Sequence, residues 1–144
     1  MKLASILVFL STFTLHVLCQ TTTQTLSYDP VYDDSSESLD YLACSNGSNG
    51  LETLGYSTLG QVPNFPYVGG AYTVTGWNSP ACKTCYNLTY EDKSISVLAV
   101  DSALEGFNVA QQAMDYLTDG QSTQLGRVDV QSTPVDPAYC GFLQ

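Results

Sequence analysis

The chain predicts a mainly β domain, closed into a small barrel and stapled by two disulfides. Three observations lead there. Residues 94–101 (SISVLAVD) put Ile95, Val97 and Ala99 on one face at strand spacing. Further short alternating runs are separated by segments rich in Gly, Pro and Asn, and a single stretch has convincing helical spacing. The cysteines that remain once the N-terminal segment is removed are even in number, which fits an oxidising compartment.

That N-terminal segment starts Met1-Lys2 and then runs apolar from Leu3 to Leu18, interrupted only by Ser5, Ser11, Thr12, Thr14 and His16. Small residues Val17 and Cys19 stand at the −3 and −1 positions, so residues 1–19 read as a secretory signal peptide. A membrane span needs about 20 predominantly apolar residues; this run is shorter, and bulky Leu18 argues against lipid attachment at Cys19. The expectation is a secreted, extracellular protein with no membrane partner.

Removal of the segment limits the chemistry available. Cys44, Cys82, Cys85 and Cys140 remain, and the only histidine, His16, is lost. A Ser-His or Cys-His nucleophile is then impossible, as is an imidazole metal site, and oxidised thiols do not build a four-thiolate zinc site. Neither a metal nor another cofactor is expected. The full chain has 4 Lys and Arg against 14 Asp and Glu; without Lys2 the balance is 3 against 14, a net charge of −11. Three scattered cations, Lys83, Lys93 and Arg127, cannot form a phosphate-binding surface, which excludes nucleic acid. Such acidity suits solubility outside the cell and a neutral or cationic polymer as partner.

About 125 residues remain for one domain. Residues 20–26 (QTTTQTL) read as a polar N-terminal tail, disordered or extended, and the folded domain as residues 27–144. Residues 39–44 (LDYLAC) read as a strand ending in the Asn-Gly-rich turn of residues 45–50. Residues 60–76, with Pro63, Pro66 and Gly69-Gly70, read as a long shaped loop leading into a short strand. Residues 76–90 (GWNSPACKTCYNLTY) hold the sole tryptophan and a Cys-x-x-Cys pair, which by itself can be a redox dithiol, half a zinc site, or two cysteines with separate partners. Tyr86, Leu88 and Tyr90 then alternate with Asn87 and Thr89 as a strand. One helix is expected, with Asn108 as N-cap, Gln111 completing a capping-box-like pair, a packing stripe of Val109, Ala110, Ala113, Met114 and Leu117, and Gly120 closing it. Residues 127–130 form a last strand. Two sequons occur, Asn46-Gly47-Ser48 and Asn87-Leu88-Thr89. The first sits in an exposed turn and is a candidate for glycosylation; the second lies inside a strand, where a glycan has little room.

Several blocks also carry a family resemblance. Residues 27–30 (SYDP) with Tyr32-Asp33, 44–47 (CSNG), 62–70 (VPNFPYVGG), 76–80 (GWNSP) with Cys82 and Cys85, 97–101 (VLAVD), 106–108 (GFN) and 125–128 (LGRV) are similar to the cerato-platanins, small secreted fungal proteins. The likeness covers residues 27–142, in register with all four cysteines. It implies a six-stranded double-psi β-barrel, similar to the first domain of expansins and to barwin-like proteins, with disulfides Cys44–Cys82 and Cys85–Cys140. It also implies binding of chitin or N-acetylglucosamine oligomers in a shallow groove, action on cell walls, self-assembly at interfaces, and perception by plants as an elicitor.

The residues admit such a groove. Ten tyrosines and one tryptophan supply flat surfaces with hydrogen-bonding edges. The expected carbohydrate-binding residues are Asp101, Asn78, Ser79 and Tyr28, with Trp77 and Tyr67 nearby. Asp101, at the end of an apolar strand, needs a partner or a solvent opening; it matches the family's groove aspartate. Set against this, a tryptophan beside a disulfide packs more often than it serves as a platform, and Tyr28 and Tyr67 could close the barrel. No catalytic residues are expected. A glycoside hydrolase would need a second carboxylate about 5 to 9.5 Å from Asp101, for which Asp29 is the one plausible choice; a self-assembling coat protein is the third class. The favoured reading is non-hydrolytic binding of chitin, with plant wall polysaccharide or a plant receptor as further partners.

Overall fold

Six strands close on themselves in the computed structural model, which describes residues 20–142; the signal peptide read over residues 1–19 lies outside them. The strands are β1 (Thr22–Tyr28), β2 (Val68–Ala71), β3 (Cys85–Tyr90), β4 (Lys93–Ser102), β5 (Phe107–Val109) and β6 (Arg127–Val135). Around the barrel they run β1-β5-β2-β4-β3-β6 and back to β1. β1–β5 and β2–β4 are parallel, and the other four pairings are antiparallel. Closure leaves no strand with an unpaired edge. This is the barrel the family resemblance implied.

The core is built from Leu26, Val68, Leu88, Leu98, Val100 and Val109, all fully buried. In β4 the expected inward face of Ile95, Val97 and Ala99 is buried, and so are Leu98 and Val100 between them, so this end of the strand meets solvent on neither side. β2 can thread between β4 and β5 because it is nearly bare: a Cβ on Gly69 would stand 2.4 Å from the Asn108 carbonyl oxygen and 2.5 Å from the Val109 Cα. Only glycine allows the two backbones that close.

The first strand corrects the sequence reading. Residues 22–26, read as a tail, are most of β1, which pairs with β6 from Thr22↔Ser132 to Ser27↔Arg127 and with β5 from Leu26↔Phe107. Only Leu26 of this strand is fully buried. Its hydroxyl and amide side chains give no apolar alternation, and the strand exists because two partners complete its hydrogen bonds.

Residues 29–67 wrap the barrel without contributing a strand. They hold four 3-10 turns, Pro30–Asp33, Leu39–Tyr41, Glu52–Leu54 and Leu59–Gln61, and one isolated bridge, Ser38↔Thr58. The strand expected over 39–44 is therefore absent. Leu39 and Leu42 are both buried, which a tight turn permits because it eclipses side chains three apart, and the Ser38 hydroxyl caps the turn by accepting from Asp40 N at 3.2 Å. The Cys44–Cys82 disulfide ties this segment to the chain entering β3, and Cys85–Cys140 ties β3 to a C-terminal 3-10 turn, Pro137–Cys140. The paired cysteines Cys82 and Cys85 thus have separate partners.

Two short helices follow β5: α1 (Gln111–Thr118) and α2 (Ser122–Leu125). The expected stripe is correct, with Val109, Ala110, Ala113, Met114 and Leu117 all buried. The expected cap is not. Asn108 belongs to β5 and Ala110 occupies the N-cap with no side-chain bond. Asp33 does the capping from the wrapping segment, its carboxylate accepting from Gln111 N at 2.7 Å and Gln112 N at 3.0 Å. A negative charge there also suits the positive end of the helix.

Candidate functional site

Asp101 ends the buried run of β4 and is half-buried. Its carboxylate is shared between three donors. Oδ1 accepts from Ala43 N at 2.9 Å and Ser102 N at 2.8 Å, and Oδ2 accepts from the Tyr32 hydroxyl at 2.9 Å. Burial, and then the Asp101 charge, hold the Tyr32 phenol above its ordinary range. Asp101 therefore fixes two points of the wrapping segment to the barrel while remaining a charged group near the surface.

On one side of Asp101 lies a groove of about 510 Å³, lined by Ser27, Tyr28, Ser102, Glu105, Asn108 and Arg127 among others. β1, β5 and the end of β4 bring these together, since Ser27 pairs with Asn108 across the parallel β1–β5 ladder. The Ser27 hydroxyl donates to Asn108 Oδ1 at 3.1 Å, and Arg127 lies 3.6 Å from Glu105 and donates to Thr25 Oγ1 at 2.9 Å. The walls thus offer a phenol ring, hydroxyls, an amide and a charge pair, an assortment suited to a polyhydroxylated neutral ligand. Of these residues the sequence reading had named Tyr28. The others lacked a signal, because two serines, an asparagine and one exposed ion pair are unremarkable until parallel pairing sets them side by side.

On the other side a relay of contacts leads to the tryptophan. Ala43, held by Asp101, accepts through its carbonyl from Asn78 N at 3.1 Å. Asn78 adopts a left-handed φ of 56°, and its side-chain oxygen accepts from Asn49 N at 2.8 Å. Trp77, next to it, is 65% exposed, and its Nε1–H donates to Asn46 Oδ1 at 2.8 Å. The packing tendency that weighed against Trp77 fails here: one edge of the indole is pinned and its faces are open.

Two other expected residues sit apart. Ser79 is buried, with its hydroxyl accepting from Ala81 N at 3.2 Å in the turn before Cys82. Tyr67 precedes β2 at the end where Val68 pairs with Leu98, three residues and about 10 Å along β4 from Asp101, and its ring packs against Tyr116 of α1 at 6.0 Å. Asp101 and Asn78 are thus linked through Ala43, with Trp77 next in the chain, and Tyr28 lines the groove beside Ser102, whereas Ser79 is buried and Tyr67 lies against Tyr116.

The second carboxylate expected for a hydrolase is engaged elsewhere. Asp29, the expected second carboxylate, caps the turn at Pro30–Asp33 by accepting from Val31 N at 3.0 Å.

Comparison with known proteins gives a consistent result. A family model described as cerato-platanin matches residues 24–142. The "Heat-stable 19 kDa antigen" of Coccidioides immitis is 48% identical over 120 residues, covering 83% of this chain and 82% of that protein. Among solved structures, cerato-platanin 3 from M. perniciosa superposes with a TM-score of 0.81 at 50% identity, covering 84% of this chain and all of that one. The solution structure of "the fungal elicitor Cerato-Platanin" matches with a TM-score of 0.74 at 44% identity, covering 81% and 95%.

Proposed function

Because the chain belongs to the cerato-platanin family, we propose that it is a secreted, wall-associated protein that binds chitin or N-acetylglucosamine oligomers along the strip from Trp77 to Tyr28 and does not hydrolyse them. The supporting observation is the open face of Trp77, pinned through Asn46 and linked by Asn78, Ala43 and Asp101 to the polar groove. Sugar C–H faces stack on such a ring, while the hydroxyls, Asn108 and the Arg127–Glu105 pair meet sugar hydroxyl and acetamido groups. An open strip buries little area, so affinity falls in the micromolar to millimolar range, on the order of 4 to 8 kcal/mol. Longer oligomers bind more tightly than the monosaccharide, since each sugar adds contacts. Expansin-like action on walls and elicitation of plant defence follow as consequences of display at the wall; one of the similar proteins of solved structure is a fungal elicitor.

The test is an NMR titration with chitin tetramer. Shifts at Trp77, Ser102, Asn108 and Tyr28, with none at Tyr67, support the strip; an unmoved spectrum at millimolar sugar removes it. Release of reducing ends from chitin or cellulose, abolished by both Asp101→Asn and Asp29→Asn, would instead establish a hydrolase. Self-assembly is a second reading, favoured by the exposure of Leu104 at 107% and Tyr41 at 81%. Concentration-dependent sedimentation decides it.

A further inference from the structure

The sequon Asn46-Gly47-Ser48 stands at the Trp77 end of the strip. Asn46 and Ser48 are exposed, and Gly47 takes a left-handed φ of 84° in the turn between them. Asn46 uses only its carbonyl oxygen in the bond to the indole; its Nδ2 makes no hydrogen bond among the described residues. The other sequon contrasts with it. Asn87 is half-buried in β3, flanked by β4 at Ser96 and β6 at Thr133, and its side-chain oxygen accepts from Thr89 Oγ1 at 3.2 Å.

Amide geometry says where a sugar on Asn46 would lie. Attack of Nδ2 on C1 of a lipid-pyrophosphate-linked oligosaccharide forms the N–C1 bond, breaks the C1–O bond, releases the lipid pyrophosphate and loses one amide proton. The product is a secondary amide, planar and trans. In a trans amide the substituent on nitrogen lies on the same side as the carbonyl oxygen. That oxygen is the atom 2.8 Å from the Trp77 Nε1. The first N-acetylglucosamine therefore starts beside the indole, whose faces are otherwise open.

We propose that Asn46 carries an N-linked glycan whose first sugar packs on Trp77, and that this glycan occupies the tryptophan end of the strip, so the glycosylated protein binds chitin oligomers less tightly than the unmodified one. The second half rests on the strip being the chitin site; the first half does not. The attached sugar is of the same kind as the proposed ligand and is present at high effective concentration, so modification acts as a built-in competitor.

The experiment compares three forms of the full chain secreted from yeast: wild type, wild type trimmed by an endoglycosidase to a single N-acetylglucosamine, and Ser48→Ala, which removes the sequon without touching Asn46 or Trp77. Peptide mass spectrometry should find the glycan on Asn46 in the first, one sugar in the second, and none in the third. Trp77 is the sole tryptophan, so its fluorescence reports the contact alone. Acrylamide quenching should be at least about twofold weaker in the first two forms than in Ser48→Ala. Chitin tetramer should bind Ser48→Ala several-fold more tightly than the intact glycoform. An unmodified Asn46, or equal quenching in all three, overturns the modification and its contact. Shielding with equal tetramer affinities overturns the competition. If Ser48→Ala does not bind tetramer at all, the chitin reading fails and the competition with it, while mass and quenching still decide the glycan contact.

Discussion

The barrel strands and the wrapping segment of residues 29–67 bury similar side chains by different means. In the barrel every strand is hydrogen-bonded on both sides, and Leu26, Leu88 and Leu98 are sealed by the ladders that carry them. In the wrapping segment Leu39, Leu51 and Leu59 are buried just as fully, yet the backbone around them makes tight turns, one bridge and a few isolated bonds such as Leu51 N to the Cys44 carbonyl at 2.9 Å, and no ladder. It is fastened at a few points: the Cys44–Cys82 bond, the Asp101 contacts to Tyr32 and Ala43, the Asp33 cap on α1, and Cys44 N donating to the Val100 carbonyl at 3.2 Å. A domain can thus divide its stability between distributed pairing and discrete anchors. The candidate site lies where the two meet, since Asp101 belongs to the barrel and two of its three donors, Tyr32 and Ala43, to the wrap.

The largest expected effect tests the anchors. Replacing Cys44 and Cys82 together by serine should cost about 4 kcal/mol for their separation of 38 residues, and Cys85 with Cys140 about the same for 55. Urea unfolding measures both. Hydrogen exchange separates them: loss of Cys44–Cys82 should free amides of residues 39–62 while β3 and β4 keep their protection. Equal loss across barrel and wrap would erase the distinction between the two regions.

Next, Leu39→Ala and Leu88→Ala each empty a fully buried leucine site, one in each region, and each should cost about 3 kcal/mol. A cost below about 1 kcal/mol at Leu39 alone would mean that the wrap collapses around the cavity and is the softer region.

Asp101→Ala strands three donors, one of them the buried Tyr32 hydroxyl, and should cost about 2 kcal/mol without unfolding the barrel. A double-mutant cycle with Tyr32→Phe should show coupling; strict additivity would remove the Tyr32–Asp101 anchor.

The smallest effect at neutral pH is a slope that shows only in alkali. Tyr32 is held neutral in the fold, by burial first and the Asp101 charge second, so its folded pKa lies above the ordinary phenol value of 10.0. Its contribution to stability is complete below that value and is lost as pH rises above it. Each unit should remove up to about 1.4 kcal/mol, and Tyr32→Phe should flatten the curve between about pH 10 and 12 in alkaline denaturation. An unchanged slope would show that Tyr32 ionises freely in the fold.

Legibility in the sequence follows the same division. β4 and the α1 stripe were readable because the apolar residues they bury lie together along the chain, as a run in β4 and at helical spacing in α1. Residues 39–44 misled because Leu39 and Cys44 are held by Ser57, the Cys82 sulfur and the Val100 carbonyl, none of them local. The α1 cap misled likewise: Asn108 is a good cap by type, but Asp33 arrives from 78 positions away. In the candidate site, Asp101, Asn78 and Tyr28 were visible through the blocks that carry the family likeness, whereas Asn108 and Arg127 line the groove only because β1 pairs with β5 and β6, and Ser102 and Glu105 join them from the end of β4 and the turn after it.

β1 and β6 are the first and last strands to be made, yet they are neighbours in the barrel. A chain synthesised at about 5–20 residues per second leaves β1 waiting roughly 5 to 20 s for residues 127–132. During that interval residues 22–25, which pair with β6 alone, have no partner. Thr22, Thr23, Gln24, Thr25 and Ser27 make β1 a strand that water solvates well, so it does not seize a wrong partner before the right one exists. The polarity that disguised β1 as a tail is also what keeps it solvated while its neighbour is still missing.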